Sequence, residues 1–204
     1  MKRWDELASN QSIKKTISSL TQNGIDSFAV KTGLEAKQKV VSMIPKGAEV
    51  MTMTSVTLDT IGLSKAINES SDYDSVRIKI NSMDRKTQSL KMQRLGAAPE
   101  WTVGSVHAVT EDGKLLIASN TGSQLPAYVY GSSRVIWVVG AQKITKDVDE
   151  ASKRIYEYVL PLESERAHKA YGVPGSFVSK LLIINREVNV GRLTVIFVKQ
   201  KLGF

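Results

Sequence analysis

Residues 105–143, SVHAVTEDGKLLIASNTGSQLPAYVYGSSRVIWVVGAQK, constrain the fold more than any other stretch. They contain three apolar runs, at 105–110, 114–119 and 135–140. Short apolar runs bounded by turn residues read as buried strands. Between the second and third lies a small-residue loop, Asn120-Thr121-Gly122-Ser123-Gln124-Leu125-Pro126. The block reads as the middle of a buried sheet with a ligand-facing loop at its edge.

The flanking sequence supplies the elements around that sheet. Trp4, Leu7, Ala8, Ile13, Ile17 and Leu20 recur at helical spacing, which predicts a helix over 3–23 that stops at Gly24. A short strand is expected at 27–31, and a helix at 34–44 that Pro45 ends. Residues 48–54 read as a strand running at once into a helix over 55–68, with Ser55 as its cap. Val76, Ile78 and Ile80 alternate with Arg77 and Lys79, the pattern of a half-buried strand. Helices follow at 85–95, with Leu90, Met92 and Leu95 inward, at 147–159 and at 162–171. Strands at 181–184 and 193–199, joined by Val188-Asn189-Val190-Gly191, read as a closing hairpin. Alternating strands and helices favour an α/β fold with a mostly parallel sheet covered by helices, and the hairpin adds an antiparallel edge. The length of 204 residues suits one domain over 1–204, with the helix of residues 1–24 packed on it.

Composition removes several chemistries. The absence of cysteine excludes disulfides, thiolate nucleophiles and an iron–sulfur cluster held by this chain. It fits a cytoplasmic protein. With two histidines, a multi-histidine metal centre is out of reach, no metal site is expected, and no cofactor is specified. No apolar window is long enough for a membrane span. The net charge of +8 arises from scattered basic residues, which suits an anionic small ligand better than a nucleic acid.

The candidate site residues follow from local pattern. Asn120, Thr121, Gly122, Ser123 and Gln124 combine a glycine, two hydroxyls and successive amides, either an anion cradle or a polar strand-to-helix turn. Thr110-Glu111-Asp112-Gly113 reads as a hairpin turn that offers Glu111 as base or nucleophile. His107, inside an apolar run, is either a structural or a catalytic histidine. Ser55 and Thr57 open a helix after a strand, where anions bind in open α/β sheets. Arg134 and Lys143 flank the last apolar run and offer charge for a carboxylate or phosphate.

These residues carry a resemblance. The segments 104–113, 118–126 and 135–144 are similar to the LUD (lactate utilisation) domain family, as are 55–63, 159–163 and Leu202-Gly203-Phe204. The resemblance implies a three-layer α/β/α Rossmann-like fold, similar to the superfold of ribose-5-phosphate isomerase, glucosamine-6-phosphate deaminase and the CoA-transferases. It also implies a small anionic metabolite as ligand and assistance in oxidising lactate or another hydroxy acid beside iron–sulfur oxidoreductase partners. The 110–113 segment is similar to the CoA-transferase motif whose Glu forms an acyl-enzyme ester, which singles out Glu111. Two further expectations stand beside this: a non-catalytic metabolite-binding or scaffolding module, and acyl transfer through Glu111. A homo-oligomer is compatible with either.

Overall fold

The computed structural model describes residues 4–204. In chain order the strands begin with β1 (Asp26–Val30), β2 (Glu49–Thr52), β3 (Asp74–Ser75), β4 (Trp101–Gly104) and β5 (Ala108–Thr110). They continue with β6 (Leu115–Ser119), β7 (Arg134–Gly140), β8 (Ile144–Thr145), β9 (Lys180–Ile184) and β10 (Leu193–Val198). Six of them form one parallel sheet in the order β1-β10-β7-β4-β2-β3. The other four form a mixed sheet in the order β8-β5-β6-β9.

The parallel sheet is apolar on both faces, as a helix-covered sheet must be. Along β7, Val135, Trp137 and Val139 enter one core, while Ile136 and Val138 enter the other. The helices are α1 (Asn10–Gln22), α2 (Gly33–Met43), α3 (Val56–Thr60), α4 (Leu63–Asn68), α5 (Val76–Asn81) and α6 (Ser89–Ala97). Leu20 of α1, Val76 and Ile80 of α5, and the second sheet's Val109, Leu115 and Ile117 fill the Trp137 side. Ala36 and Val40 of α2, Leu58 of α3, and Leu63 and Ile67 of α4 fill the other. The result is the expected three-layer arrangement. A long helix closes the second sheet: α7 (Val148–Arg154), a π turn (Ile155–Val159) and α8 (Leu160–Tyr171) follow without a break. Ala151 and Ile155 pack there on Ala108 and Leu116.

Several expectations are corrected. The helix expected over 3–23 has its first residue outside the described residues and begins at Asn10, because the Ser9 hydroxyl accepts the Ser12 amide and caps it. The helix expected over 55–68 breaks at Ile61–Gly62 into two. Residues 76–81 are helical: Ser75 caps the turn, and Val76 and Ile80 are buried four residues apart while Ile78 is exposed. Leu90 of α6 is exposed, so only Met92 and Leu95 pack inward. β4 was not expected; its Trp101-Thr102-Val103-Gly104 lies next to β7 in the parallel sheet. The 105–143 block is also split. Only β7 belongs to the centre of the main sheet, and β5 and β6 form the antiparallel pair that Asp112-Gly113 turns. The closing hairpin does not form, because β9 pairs antiparallel with β6 while β10 inserts in parallel between β1 and β7.

Candidate functional site

The strands β4 and β7 are neighbours and leave the parallel sheet side by side, since β5 and β8, the next strands in each path, also pair in parallel. The two exits, residues 105–107 and Ala141–Lys143, therefore meet at the carboxyl ends of the strands. This is where open α/β sheets place ligands. Lys143 ends a short 3₁₀ turn there and is fully buried, at 2% exposure. Its Nζ donates to Thr57 Oγ1 (3.1 Å), Ser105 Oγ (3.2 Å) and the Val106 carbonyl (3.1 Å). The Thr57 hydroxyl in turn donates to the Leu202 carbonyl at 3.2 Å. Gln142 fixes the same segment: its Nε2 donates to the Leu202 and Gly203 carbonyls, and its Oε1 accepts the Leu202 amide.

A second buried cation adjoins the first. Arg154, at the last position of α7, is completely buried. Its Nη1 donates to the His107 carbonyl at 2.5 Å. Lys143 and Arg154 thus grip consecutive carbonyls of one segment. Neither forms an ion pair with a carboxylate among the described residues, whereas buried charges ordinarily do. Burial, reinforced by the Arg154 charge, pushes the Lys143 amine well below its ordinary value. Burial pushes Arg154 down to about 10.

His107 sits between these cations and the 120–124 loop. Its Nδ1 accepts the Ala118 amide at 3.1 Å. A backbone N–H can only donate, so Nδ1 carries a lone pair and the ring is neutral. Desolvation, then the charges of Lys143 and Arg154, push its pKa down to about 3. A histidine so low does not trade protons near neutral pH.

The structure brings three sequence candidates, Thr57, Lys143 and His107, together with Ser105, which the sequence did not single out, and disperses the rest. Ser55 caps the five-residue α3 through Leu58 N, with its oxygen 3.5 Å away. Arg134 is exposed at the amino end of β7, about 20 Å from Lys143 along a seven-residue strand. In the 120–124 loop two amides are taken: Gly122 N donates to Ser119 Oγ (2.8 Å), and Ser123 N to Thr121 Oγ1 (3.3 Å). Ser119 donates to Gln124 Oε1 (2.9 Å), Asn120 accepts from Ser179 Oγ (3.1 Å), and a Cβ on Gly122 would meet Lys180 Cδ at 2.8 Å. These contacts tie the loop to Ser119 and to the 179–180 segment. No group of His, Asp and Glu among the described residues is placed to hold a metal ion, and no helix among them is long and apolar enough to cross a membrane.

Glu111 lies at the far end of β5. One carboxylate oxygen accepts from Ser12 Oγ (2.6 Å) and the other from Lys15 Nζ (2.8 Å), which ties α1 to the second sheet. The Lys15 and Ser12 hydrogen bonds hold its pKa below the ordinary carboxylate value. A depressed folded-state pKa stabilises the fold fully above the unfolded value and loses that contribution as pH falls through the folded one. Glu111→Gln is therefore expected to cost about 1 kcal/mol at pH 7 and to flatten the acid limb of the stability curve below pH 4.5. Urea unfolding as a function of pH measures this, and an unchanged acid limb would remove Glu111 as the tie.

Comparison with known proteins now bears on this arrangement. The family model described as LUD domain matches residues 13–198. The chain belongs to the LUD domain family. The crystal structure of a DUF162 family protein from Deinococcus radiodurans shares its fold, with a TM-score of 0.56 over 95% of this chain and 99% of that one at 11% identity. No curated protein matches the chain. In this LUD domain, Arg154, Gln142 and the 202–204 segment complete a site of which the sequence reading named only part. The sequence signal for Arg154 was a basic residue three positions after Ala151, on the apolar face of its helix.

Proposed function

We propose that this LUD domain binds a small anionic metabolite at the carboxyl ends of β4 and β7, with Lys143 as the charge that receives it. One observation carries the reading: among the described residues the fully buried Lys143 is bonded to two hydroxyls and a carbonyl and has no carboxylate partner. A depressed lysine amine gains most from an incoming anion. Lactate or a related hydroxy acid, whose oxidation the domain would assist, is the metabolite class in keeping with the family's description as lactate utilisation. Binding is favoured over chemistry within the chain. The two groups best suited as bases, Glu111 and His107, are committed to hydrogen bonds and titrate low. The same commitment speaks against an acyl ester on Glu111, which needs a free carboxylate oxygen. Iron–sulfur oxidoreductase partners would then supply the redox step that a cysteine-free chain does not.

Isothermal calorimetry with lactate, pyruvate, sugar phosphates and CoA esters tests the reading. An anion is expected to bind with proton uptake, seen as a binding enthalpy that varies with the buffer's ionisation enthalpy. Because bound anion raises the Lys143 pKa, affinity is expected to fall as pH rises. Lys143→Met is expected to weaken binding at least ~10-fold. Equal affinity in Lys143→Met, or no binding by any of these anions, overturns the reading.

A further inference from the structure

Arg154 carries information about the ligand's shape. Its guanidinium is fully buried, yet Nε and Nη2 have no hydrogen-bond partner among the described residues. These two nitrogens lie on one edge of the planar group and present two parallel N–H bonds, the geometry that matches a carboxylate. Elsewhere in the chain that edge is used. Arg166 holds both oxygens of Glu163 with it, at 2.7 and 2.6 Å. Arg77 places it on the Thr52 carbonyl, at 3.0 and 2.7 Å. In Arg192, Nε meets Glu187 at 2.7 Å and Nη2 the Tyr128 carbonyl at 2.8 Å. Two orphaned buried donors on a cation are costly, and a native structure keeps such groups for a reason.

The surroundings select the partner. The Arg154 guanidinium carbon lies over the Tyr158 ring, 5.3 Å from its centroid, and Nη1 is committed to the His107 carbonyl. These contacts fix the plane of the fork. His107, held neutral by the Ala118 amide, adds no charge of its own. Two surface depressions, one lined by Phe28, Glu35 and Lys39 and the other by Ile183, Glu187 and Arg192, include neither Arg154 nor Lys143. Arg154 also stands where α7 passes into the π turn at Ile155–Val159, a helix irregularity often found at functional sites.

We infer that the Nε–Nη2 edge of Arg154 is the carboxylate clamp of this site, so that the ligand is a small molecule bearing a planar carboxylate, held in two-point fashion by Arg154 with Lys143 as the second positive group. This rests on the anion-binding reading above and adds to it the residue that takes the carboxylate. A carboxylate has two oxygens for the two donors.

The test uses the full chain and acetate, lactate and inorganic phosphate as probes in thermal unfolding and calorimetry. Acetate and lactate are expected to raise Tm in a saturable way. Arg154→Lys keeps the charge and loses the fork, and should weaken the carboxylate response at least ~10-fold. Arg154→Met removes an unpaired buried charge, so its Tm without ligand should equal or exceed that of the native chain while the carboxylate response disappears. Should Arg154→Met fail to fold, Arg154→Lys decides. Carboxylate binding that survives in both variants overturns the clamp, and a response to phosphate with none to acetate or lactate overturns the carboxylate class. Lys143→Met in the same assay separates the two readings. Loss of binding there, with the Arg154 variants unaffected, leaves the anion site standing and removes only the clamp.

Discussion

Trp137→Ala is expected to destabilise the fold by about 3–5 kcal/mol, the cost of emptying a large aromatic site in a packed core. Trp137 lies mid-way along β7, between β10 and β4, and is completely buried. It packs edge-on to Tyr128, with ring centroids 5.2 Å apart and an interplanar angle of 71°. Its indole Nε1 donates to no acceptor in hydrogen-bond geometry among the described residues, so truncation chiefly removes packing against Tyr128 and the surrounding core. The loss is therefore one of packing and cavity formation rather than of an unpaired donor. For a domain whose total stability is on the order of 5–15 kcal/mol, this is a large fraction. Urea unfolding should show the midpoint falling with an unchanged m-value. Trp137→Phe, which keeps a ring against Tyr128, should cost less than half as much. A loss below about 1 kcal/mol in Trp137→Ala would mean that the two faces of β7 do not carry the core.

The same residue shows what the sequence could reveal. The 135–140 run is so uniformly apolar that only a strand buried on both faces explains it, and that is what β7 is. Alternation of strands and helices also gave the layered class. The limits were physical. Val76-Arg77-Ile78-Lys79-Ile80 alternates as a strand does, yet a helix buries Val76 and Ile80 four residues apart at the cost of exposing Ile78. Short patterns of five residues satisfy both periods, and the Ser75 cap decides between them. The closing strands misled for another reason: a turn fixes local chain reversal, whereas the sheet that each strand joins is set by distant partners. The site followed the same division. Lys143, Thr57 and His107 were visible as residues. Their convergence depends on β4 and β7 leaving the sheet together, and β4 itself was not legible. Glu111 was singled out by a motif, and its partners Ser12 and Lys15 are 99 and 96 residues away in the chain.

Gly203→Ala is expected to open the Lys143 site. Gly203 has φ +62°, a conformation that costs a residue with a side chain about 1 kcal/mol. A Cβ there would also stand 2.4 Å from Thr57 Oγ1 and 3.0 Å from Thr57 N. Thr57 cannot yield easily, because its hydroxyl bridges Lys143 Nζ and the Leu202 carbonyl and its backbone lies in the first turn of α3. The 202–204 segment must therefore move away, breaking the Thr57–Leu202 bond and loosening the Gln142 contacts. Overpacking of this kind adds about 1–3 kcal/mol to the backbone term. Gly172→Ala isolates that term, because Gly172 has φ +67° and nothing within 4 Å of its Cβ position. Gly203→Ala should thus lose roughly 2–4 kcal/mol against about 1 kcal/mol for Gly172→Ala. The second readout concerns access. Buried under Leu202 and Thr57, with a depressed amine, Lys143 should resist acetic anhydride in the native chain, because burial outweighs its greater nucleophilicity. In Gly203→Ala the amine becomes exposed, and mass spectrometry should find Lys143 acetylated at a rate like that of the surface lysines at pH 7. Equal stability losses in the two glycine variants, with Lys143 protected in both, would show that the 202–204 segment does not cover the site.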